Sequence, residues 1–261
     1  MIPPSSVQLA FEILHSLPGG LISGLKVETE GEGAPWQRVS RLAVFAARSG
    51  FPLTLKIGGP DARTDLLRAS EIGIAGITAP LVETPFAVWK FRAALDSTAG
   101  AVEFQERNVL LESAQGIRDY EEIIGEAQNF ASGINIGRSD LRRSMTMRDP
   151  KAPGLDSKEF LSALVPVVQH AASCGLVSTL GGSVTENSVR ALVANDLGNL
   201  LDRVETRRFV IHWAALREEP ALIRRVLEVE EALGSEELQR ITLLHSKEAA
   251  RVADLRARLG A

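Results

Sequence analysis

Residues 108–141, NVLLESAQGIRDYEEIIGEAQNFASGINIGRSDL, carry the pattern that decides the fold of this chain. The stretch opens with a short apolar run at Asn108–Leu111 and closes with another at Gly133–Ile136, and both are typical of buried strands. Between them, residues 116–129 have the apolar spacing of a helix. Because a strand, a helix and a second strand in this order form a βαβ unit, the stretch predicts two neighbouring parallel strands.

The same alternation extends along the chain in both directions. Seven strands are predicted, at residues 21–28, 53–57, 74–81, 108–111, 133–136, 176–180 and 200–206. An eighth is expected near Gly100–Phe104 or Arg208–His212. The chain has 261 residues, and a complete (β/α)8 barrel needs roughly 250. We therefore predict an α/β fold, a (β/α)8 TIM barrel over residues 1–217.

A doubly wound open sheet is the structural alternative to the barrel. Such a sheet usually has a glycine-rich phosphate-binding turn after its first strand. Residues 28–34, ETEGEGA, are acidic and do not have that pattern. The barrel is therefore the favoured fold.

The end of the chain, residues 218–261, is expected to form a C-terminal helical extension. Two helices are predicted, Glu218–Leu233 and Glu236–Leu259, separated at Gly234 and Ser235. The extension either covers the barrel or forms an oligomer contact, since the last helix alternates charges on its polar faces. We expect a homo-oligomer.

Composition and charge exclude several classes of protein. The net charge of −4 argues against a nucleic-acid partner, which requires clustered Lys and Arg. Cys174 is the single cysteine, so no intrachain disulfide can form. No apolar run reaches the ~18 residues of a membrane span, and residues 1–17 lack the basic and apolar regions of a signal peptide. We expect a cytoplasmic protein without a membrane partner.

Acidic residues follow two of the predicted strands, at the end of a barrel where catalytic residues lie. Glu112 follows Leu111, and Asp140 follows the next strand along the chain. A carboxylate directly after a buried strand is costly to leave unpaired. Carboxylate oxygens are ligands that Mg²⁺ or Mn²⁺ prefers. The alternative is that each acid caps the helix after it, as Asp140 could.

The first two predicted strands end in further charged residues. Side chains alternate along a strand, so one face of the first strand would carry Lys26, Glu28, Glu30 and Glu32. These acids either act in a site or form a solvated loop. Lys56 lies within an apolar strand, and we expect its partner to be an anionic substrate or, alternatively, Glu28 or Glu30.

One glycine-containing turn offers a second place for an anion. Residues 179–185, TLGGSVT, follow a predicted strand and open a helix. Glycines leave backbone N–H groups free for an anion. An ordinary tight turn with Thr185 as the N-cap of the helix is the alternative.

These motifs resemble the HpcH/HpaI aldolase and citrate lyase β-subunit family over most of residues 20–215. The segment LLES, residues 110–113, is followed 28 positions after Glu112 by Asp140 in GRSDL, residues 137–141. Together they are similar to the family's I-E-T and G-x-x-D-L segments. The segment APLVE, residues 79–83, is similar to the family's P-M-V segment after the third strand.

A subgroup of the family, encoded near polysaccharide biosynthesis genes, is more similar still. Its first strand has the pattern K-x-x-x-E-x-E-G, as in residues 26–33, KVETEGEG. The subgroup also has V-E-T-R late in the chain, as at residues 204–207.

The resemblance implies a phosphoenolpyruvate/pyruvate-type barrel that catalyses reversible aldol cleavage of a 2-oxo acid. It implies that Glu112 and Asp140 hold Mg²⁺ or Mn²⁺, which pyruvate chelates while the metal stabilises the enolate. It further implies that the substrate lies against a segment that follows the third strand and another that follows the fifth. The predicted substrate-binding residues are Pro80, Gly137, Arg138 and Ser139, together with Lys56.

Two departures from the family pattern affect the expected chemistry. The family has an acid/base histidine in a G-E-H segment, and this chain has Gly31, Glu32 and Gly33 there. The family also uses an arginine on the second strand, where Lys56 keeps the charge but loses the bidentate fork. We therefore expect Glu30 or Glu32 to replace the histidine, with Lys56 as the third catalytic residue.

Two other functions stay open at the level of the sequence. The first is a citrate-lyase-like enzyme that acts on an acyl-CoA thioester, for which Arg138, Arg142 and Arg143 could supply part of a basic groove. The second is a barrel that binds a metabolite without catalysis. Loss of the histidine favours the second alternative, and retention of both acids disfavours it.

Overall fold

The computed structural model describes residues 6–31, 33–98, 104–147 and 149–259. Eight strands form one closed barrel in chain order, and the eighth strand pairs with the first. The strands are β1 (Ile22–Glu28), β2 (Leu53–Lys56), β3 (Gly76–Ala79), β4 (Glu106–Leu111), β5 (Gly133–Gly137), β6 (Val177–Gly181), β7 (Arg203–Glu205) and β8 (Phe209–His212). The predicted barrel is confirmed.

The helices lie between and after these strands. Within the described residues they are α1 (Ser6–His15), α2 (Trp36–Ser49), α3 (Arg63–Ile72), α4 (Pro85–Thr98), α5 (Ala114–Arg118), α6 (Tyr120–Ala127), α7 (Arg138–Thr146), α8 (Lys158–Ala163), α9 (Val165–Ser173), α10 (Glu186–Val193), α11 (Trp213–Glu218) and α12 (Leu222–Leu259). None of these helices has an apolar stretch that could span a membrane.

The last strand departs from the parallel order of the others. β1 to β7 pair in parallel, whereas β8 is antiparallel to both β7 and β1. Residues 206–208 alone connect β7 to β8, and a parallel crossover requires a dozen residues or more. β8 therefore returns as a hairpin, in which the Thr206 amide donates to the Phe209 carbonyl at 2.9 Å. β8 lies at the second of the two predicted positions; residues 99–103, which include most of the first, lie outside the described residues.

The interior of the barrel is polar, which is unusual because such interiors are mostly filled by Val, Ile and Leu. The outward-facing residues of the strands, such as Leu25, Leu55 and Ile77, are fully buried. A small cavity, with about 20 Å³ of space accessible to water, lies inside the barrel and is partly open to solvent. Its polar lining consists of Lys26, Thr54, Lys56, Thr78, Glu106, Asn108, Asn135 and Glu205.

Two helices predicted as continuous are each interrupted once. The segment after β4 forms α5 and α6, with Asp119 between them at φ −98 and ψ 19. The apolar spacing of residues 158–173 also predicts one helix, and this segment forms α8 and α9 around Leu164. Pro166 follows at the start of α9, where its missing N–H costs no helical hydrogen bond.

The two predicted C-terminal helices are wrong, because α12 is continuous through Gly234 and Ser235. The Ser235 hydroxyl donates to Glu231 at 2.9 Å instead of capping a new helix. One glycine costs a helix about 1 kcal/mol, which the surrounding Glu, Leu and Arg residues outweigh. The chain divides into two compact units: Gly19–Ile223, which contains the barrel, and the residues up to Pro18 together with those from Arg224 onward. The predicted domains, residues 1–217 and 218–261, stay a prediction.

Replacement of Gly234 by alanine is expected to stabilise α12. A Cβ at Gly234 would meet no atom within 4 Å, so the variant gains helix propensity of about 0.5–1 kcal/mol without a clash. Far-UV circular dichroism during urea unfolding measures this gain. Gly50→Ala is the matched control, since Gly50 ends α2 at φ 77 and alanine there should destabilise. A loss of helicity in Gly234→Ala would contradict a continuous α12.

Candidate active site

Three carboxylates converge on one lysine at the C-terminal end of the barrel. The Lys56 ammonium lies 3.1 Å from Glu30 Oε2, 3.2 Å from Glu112 Oε2 and 3.8 Å from Glu28 Oε2. Lys56 and Glu112 are both buried. If all four groups are ionised, the cluster has two more negative charges than positive ones. The alternative prediction, an ion pair of Lys56 with Glu28 or Glu30, is therefore present in this structure.

The barrel positions these side chains by strand pairing. Glu28 is the last residue of β1 and pairs in register with Lys56, the last residue of β2. Glu112 follows directly after β4. The loops are fixed by Asp65 of α3, whose Oδ2 accepts hydrogen bonds from Thr29 Oγ1 and from the Gly58 amide, both at 2.8 Å.

Burial and neighbouring charges shift two pKa values in the cluster. Burial raises the pKa of the Glu112 carboxyl above 4.5, against the opposing effect of Lys56, and the charge of Asp140 adds to the rise. Burial alone would lower the pKa of Lys56, but the carboxylates of Glu112, Glu30 and Glu28 outweigh it and hold that pKa above 10.5. An additional cation in the cluster would counteract the rise in the pKa of Glu112.

The second oxygen of Glu112 is held by the loop after β3. Glu112 Oε1 accepts a hydrogen bond from the Leu81 amide at 3.0 Å. Leu81 has a φ of 51, a conformation that non-glycine residues adopt at a cost. Pro80 is buried beside it and fixes the chain that presents this amide. Glu112 Oε2 lies only 3.0 Å from the position that a Cβ of Gly137 would take, so that only glycine fits beside this carboxylate.

Asp140 lies in the first turn of α7 and is exposed. It does not cap the helix, because no side chain caps α7 at Gly137. Its Oδ1 instead accepts from Arg143 at 2.9 Å. The negative charge of Asp140 contributes, as the smallest of several causes, to the raised pKa of Glu112.

The acids present fit a divalent cation held by two carboxylates. Among the described residues, no three His, Cys, Asp or Glu side chains form a metal-binding group. Mg²⁺, however, usually takes one or two carboxylates and completes its shell with water and substrate oxygens. The excess charge around Lys56 and the repulsion between Glu112 and Asp140 are the features that such a cation would neutralise.

Arg138, the first residue of α7, is fully buried. Its guanidinium donates to the carbonyls of Gly181 and Gly182 at 3.1 and 2.8 Å and forms an ion pair with Asp156 at 2.7 Å. The side chain of Arg138 therefore fixes the loop after β6. The start of α7 also carries backbone N–H groups that have no partner within the helix, including that of Ser139.

Gly182 packs directly against those N–H groups. It has a φ of 96, and a Cβ there would lie 2.6 Å from the Ser139 nitrogen. Ser139 Oγ is also 3.2 Å from Ser183 Oγ. Thr185 caps α10 in a reciprocal pair of hydrogen bonds with Ser188, so the alternative interpretation of this segment, a tight turn with a helix cap, is present.

Gly182→Ala is expected to destabilise the chain and to displace the start of α7. The backbone strain costs about 1–3 kcal/mol, and the added Cβ must move the Ser139 amide. Urea unfolding measures the first effect, and a raised KM for the substrate measures the second. Gly154→Ala is the matched control, because a Cβ there meets nothing within 4 Å. Equal stability of the two variants would contradict this packing.

A second charged pair lies inside the barrel, next to the cavity. Lys26 forms an ion pair with Glu205 at 2.6 Å, and Asn135 Nδ2 donates to Glu205 Oε2 at 3.3 Å. Asn135 Oδ1 is buried without a hydrogen-bond partner in the described part of the chain. Lys56 lines the same cavity, so these polar groups extend from the acidic cluster into the barrel.

The structure thus brings together most of the residues predicted for the site. Glu30 and Glu112 both contact Lys56, and Gly137 lies beside Glu112. Pro80 precedes Leu81, whose amide donates to Glu112, and Asp140 lies in the first turn of α7. Glu32 lies outside the described residues. The sequence patterns did not indicate Asp65, Leu81 or the Lys26–Glu205 pair as parts of the site; V-E-T-R at residues 204–207 was the one signal for Glu205.

Comparisons with known proteins concern the fold. No protein-family profile matches the chain, and no curated protein matches it. Among solved structures, an HpcH/HpaI aldolase from Desulfitobacterium hafniense DCB-2 is 15% identical with a TM-score of 0.57, and covers 85% of this chain and 87% of its own. An HpcH/HpaI aldolase/citrate lyase family protein from Burkholderia cenocepacia J2315 is 14% identical with a TM-score of 0.58. The match covers 87% of this chain and 90% of that protein.

A third similar structure is the citrate synthase SbnG, which is 14% identical with a TM-score of 0.57 and covers 89% of this chain and 90% of its own. At these identities the comparisons show a shared barrel fold over most of the chain. The first two of these structures are of proteins in the family that the sequence motifs resemble.

Proposed function

We propose that this chain is a divalent-metal-dependent carbon–carbon lyase or aldolase that acts through the enolate of pyruvate or a related 2-oxo acid. The observation that carries the proposal is the convergence of Glu28, Glu30 and Glu112 on Lys56 at the mouth of the barrel. This is the end of a barrel on which chemistry occurs. The shared fold with HpcH/HpaI aldolases supports the same class of reaction.

Glu112 and Asp140 would hold Mg²⁺ or Mn²⁺, which supplies Lewis-acid stabilisation of an enolate oxygen when bound. The Leu81 amide keeps Glu112 oriented through Oε1, which leaves Oε2 facing Lys56. Arg143 holds the carboxylate of Asp140 through Oδ1. The chain therefore positions both acids before any ligand enters.

The remaining groups would bind the 2-oxo acid and move its proton. Backbone N–H groups at the start of α7, near Gly137 and Ser139, would hold the substrate carboxylate in the positive field of the helix N-terminus. Lys56 supplies a positive charge on a flexible stem. Glu30, 3.1 Å from Lys56, takes the place of the missing histidine as general base, with Glu32 as the other candidate.

The experiment that tests this function is deuterium exchange. The purified protein is incubated with pyruvate in deuterated water with Mg²⁺ or Mn²⁺, and loss of the methyl proton signal is followed by NMR. We expect exchange that requires the metal and stops with EDTA. Absence of exchange under all conditions would contradict enolate chemistry on pyruvate and favour a barrel that binds a metabolite without catalysis.

The role of the acidic loop is tested in the same assay. A Glu30→Gln, Glu32→Gln double variant is expected to lose exchange by about 100-fold or more, as is typical when a general base is removed. The single variants assign the effect to one residue. Normal exchange in the double variant would exclude both acids as the base.

An enzyme acting on an acyl-CoA thioester is the second candidate, because one structure of the same fold is a citrate synthase. The arginines predicted for a coenzyme A groove offer little support. Arg138 is fully buried in the loop after β6, Arg142 donates to the Pro153 carbonyl at 3.1 Å, and Arg143 is paired with Asp140. Tight binding of acetyl-CoA together with absence of pyruvate exchange would favour this candidate.

A further inference from the structure

The described residues of this chain leave the C-terminal part of α12 uncovered. Val226, Val229 and Ala232 are buried, whereas every residue from Leu238 to Leu259 is exposed. Most of the stability of a helix in a protein comes from the packing of its apolar face. Its exposed large apolar side chains include Leu238, Ile241, Leu243, Leu244, Val252, Leu255 and Leu259. Helical order and apolar exposure together indicate that this segment packs against a partner.

Seven positions of this segment follow the alternating spacing of three and four residues that defines a coiled-coil seam. The seam consists of Leu238, Ile241, His245, Glu248, Val252, Leu255 and Leu259. Five of the seven are apolar, and the two polar ones are neighbours in the middle of the seam. The segment spans about 33 Å at 1.5 Å per residue, so the polar pair has apolar residues on both sides.

We propose that α12 pairs with α12 of a second copy of this chain as an antiparallel coiled coil, with the twofold axis between His245 and Glu248. In this register His245 faces the partner's Glu248. Ile241 then faces the partner's Val252, and Leu238 faces the partner's Leu255. The two polar seam residues, His245 and Glu248, thus face each other across the interface and can form a hydrogen bond. The other facing pairs between Leu238 and Leu255 are apolar.

Charge selects the antiparallel direction over the parallel one. In a parallel pair each seam residue would face its own copy, so that Glu248 would face the partner's Glu248. The flanking Arg251 would then lie beside the partner's Arg256, which adds a second like-charge contact on each side. The antiparallel register removes both contacts and places the two His245–Glu248 pairs side by side at the axis.

Sedimentation of the full chain tests the pairing. We expect Ile241→Glu to halve the mass of the assembly, because it buries a charge opposite the partner's Val252. Leu243→Glu is the matched control, since Leu243 is equally exposed but lies on the opposite face of the helix from the seam, and it should leave the mass unchanged. A monomeric wild-type chain, or an unchanged mass in Ile241→Glu, would overturn the proposal.

Disulfide cross-linking tests the direction, in a Cys174→Ser background. A mixture of Leu238→Cys chains and Leu255→Cys chains should form a cross-linked dimer, because facing seam positions come within the Cα distance of about 4.4–6.8 Å that a disulfide requires. Each variant alone should not cross-link. Cross-linking of either variant alone would show a parallel pair and overturn the antiparallel register. Barrel activity does not enter either readout, so failure here is distinguishable from failure of the proposed reaction.

Discussion

Lys56→Met is expected to lower the free energy of unfolding by about 3–5 kcal/mol at pH 7, the cost of removing one partner from a buried ion pair. The methionine fills a similar volume but leaves Glu112 buried without a cation. Glu28 and Glu30 are partly exposed, at 21% and 29%, and water relieves part of their repulsion, so the lower end of this range is expected. Urea unfolding followed by circular dichroism measures the difference.

Two further variants make this result specific. Lys56→Arg keeps the charge and should recover most of the stability. Lys90→Met removes the exposed pair of Lys90 with Asp61 at 2.6 Å and should have little effect. Equal stability of Lys56→Met and the wild type would contradict a buried, negatively charged cluster.

The free energy of unfolding is expected to fall as the pH rises into the alkaline range. The pKa of Lys56 is raised in the folded chain, so its contribution is fully present below its unfolded value of 10.5 and is lost as pH rises through the folded value. The wild type should therefore lose stability above that pH more steeply than Lys56→Met does. Parallel curves would contradict this assignment of the shift.

Glu112→Gln is expected to reduce metal-dependent pyruvate exchange by more than ~100-fold while the chain stays folded. The amide keeps the shape of the side chain but removes the charge that would hold the cation. Glu121→Gln, on the exposed surface of α6, is the matched control and should exchange at the wild-type rate. Retained exchange in Glu112→Gln would exclude Glu112 as a metal ligand for this reaction.

The stability of Glu112→Gln should also depend on pH differently from that of the wild type. Because the pKa of Glu112 is raised by burial, the folded chain binds the proton more tightly than the unfolded chain. Stability is therefore lost as pH rises from 4.5 through the folded value. Glu112→Gln stays neutral at every pH and should lack this loss.

The barrel was predictable because buried strands and amphipathic helices alternate in the sequence. The direction of β8 was also within reach, since a strand at Arg208–His212 leaves no room for a crossover helix after Glu205. The continuity of α12 could not be predicted, because a glycine followed by a serine, as at Gly234 and Ser235, is also typical of a helix break. Packing elsewhere in the helix and its many strong helix formers decide between the two outcomes.

The acidic cluster was predictable only in part. Strand alternation placed Glu28 and Glu30 on one face, and the end of a strand placed Glu112 at the barrel mouth. The contact of all three with Lys56 depends on the closed barrel, which no local pattern contains. The Leu81 amide and the interior pair of Lys26 with Glu205 depend on backbone conformation and long-range packing for the same reason.

The most direct test of the account is a titration of the metal-free protein with Mn²⁺, followed by electron paramagnetic resonance of the free ion. We expect one Mn²⁺ to bind per wild-type chain, and we expect Glu112→Gln and Asp140→Asn each to weaken that binding by more than ~100-fold. Mn²⁺ binding of wild-type strength in both variants, or no binding by the wild type, would contradict a metal site built from Glu112 and Asp140.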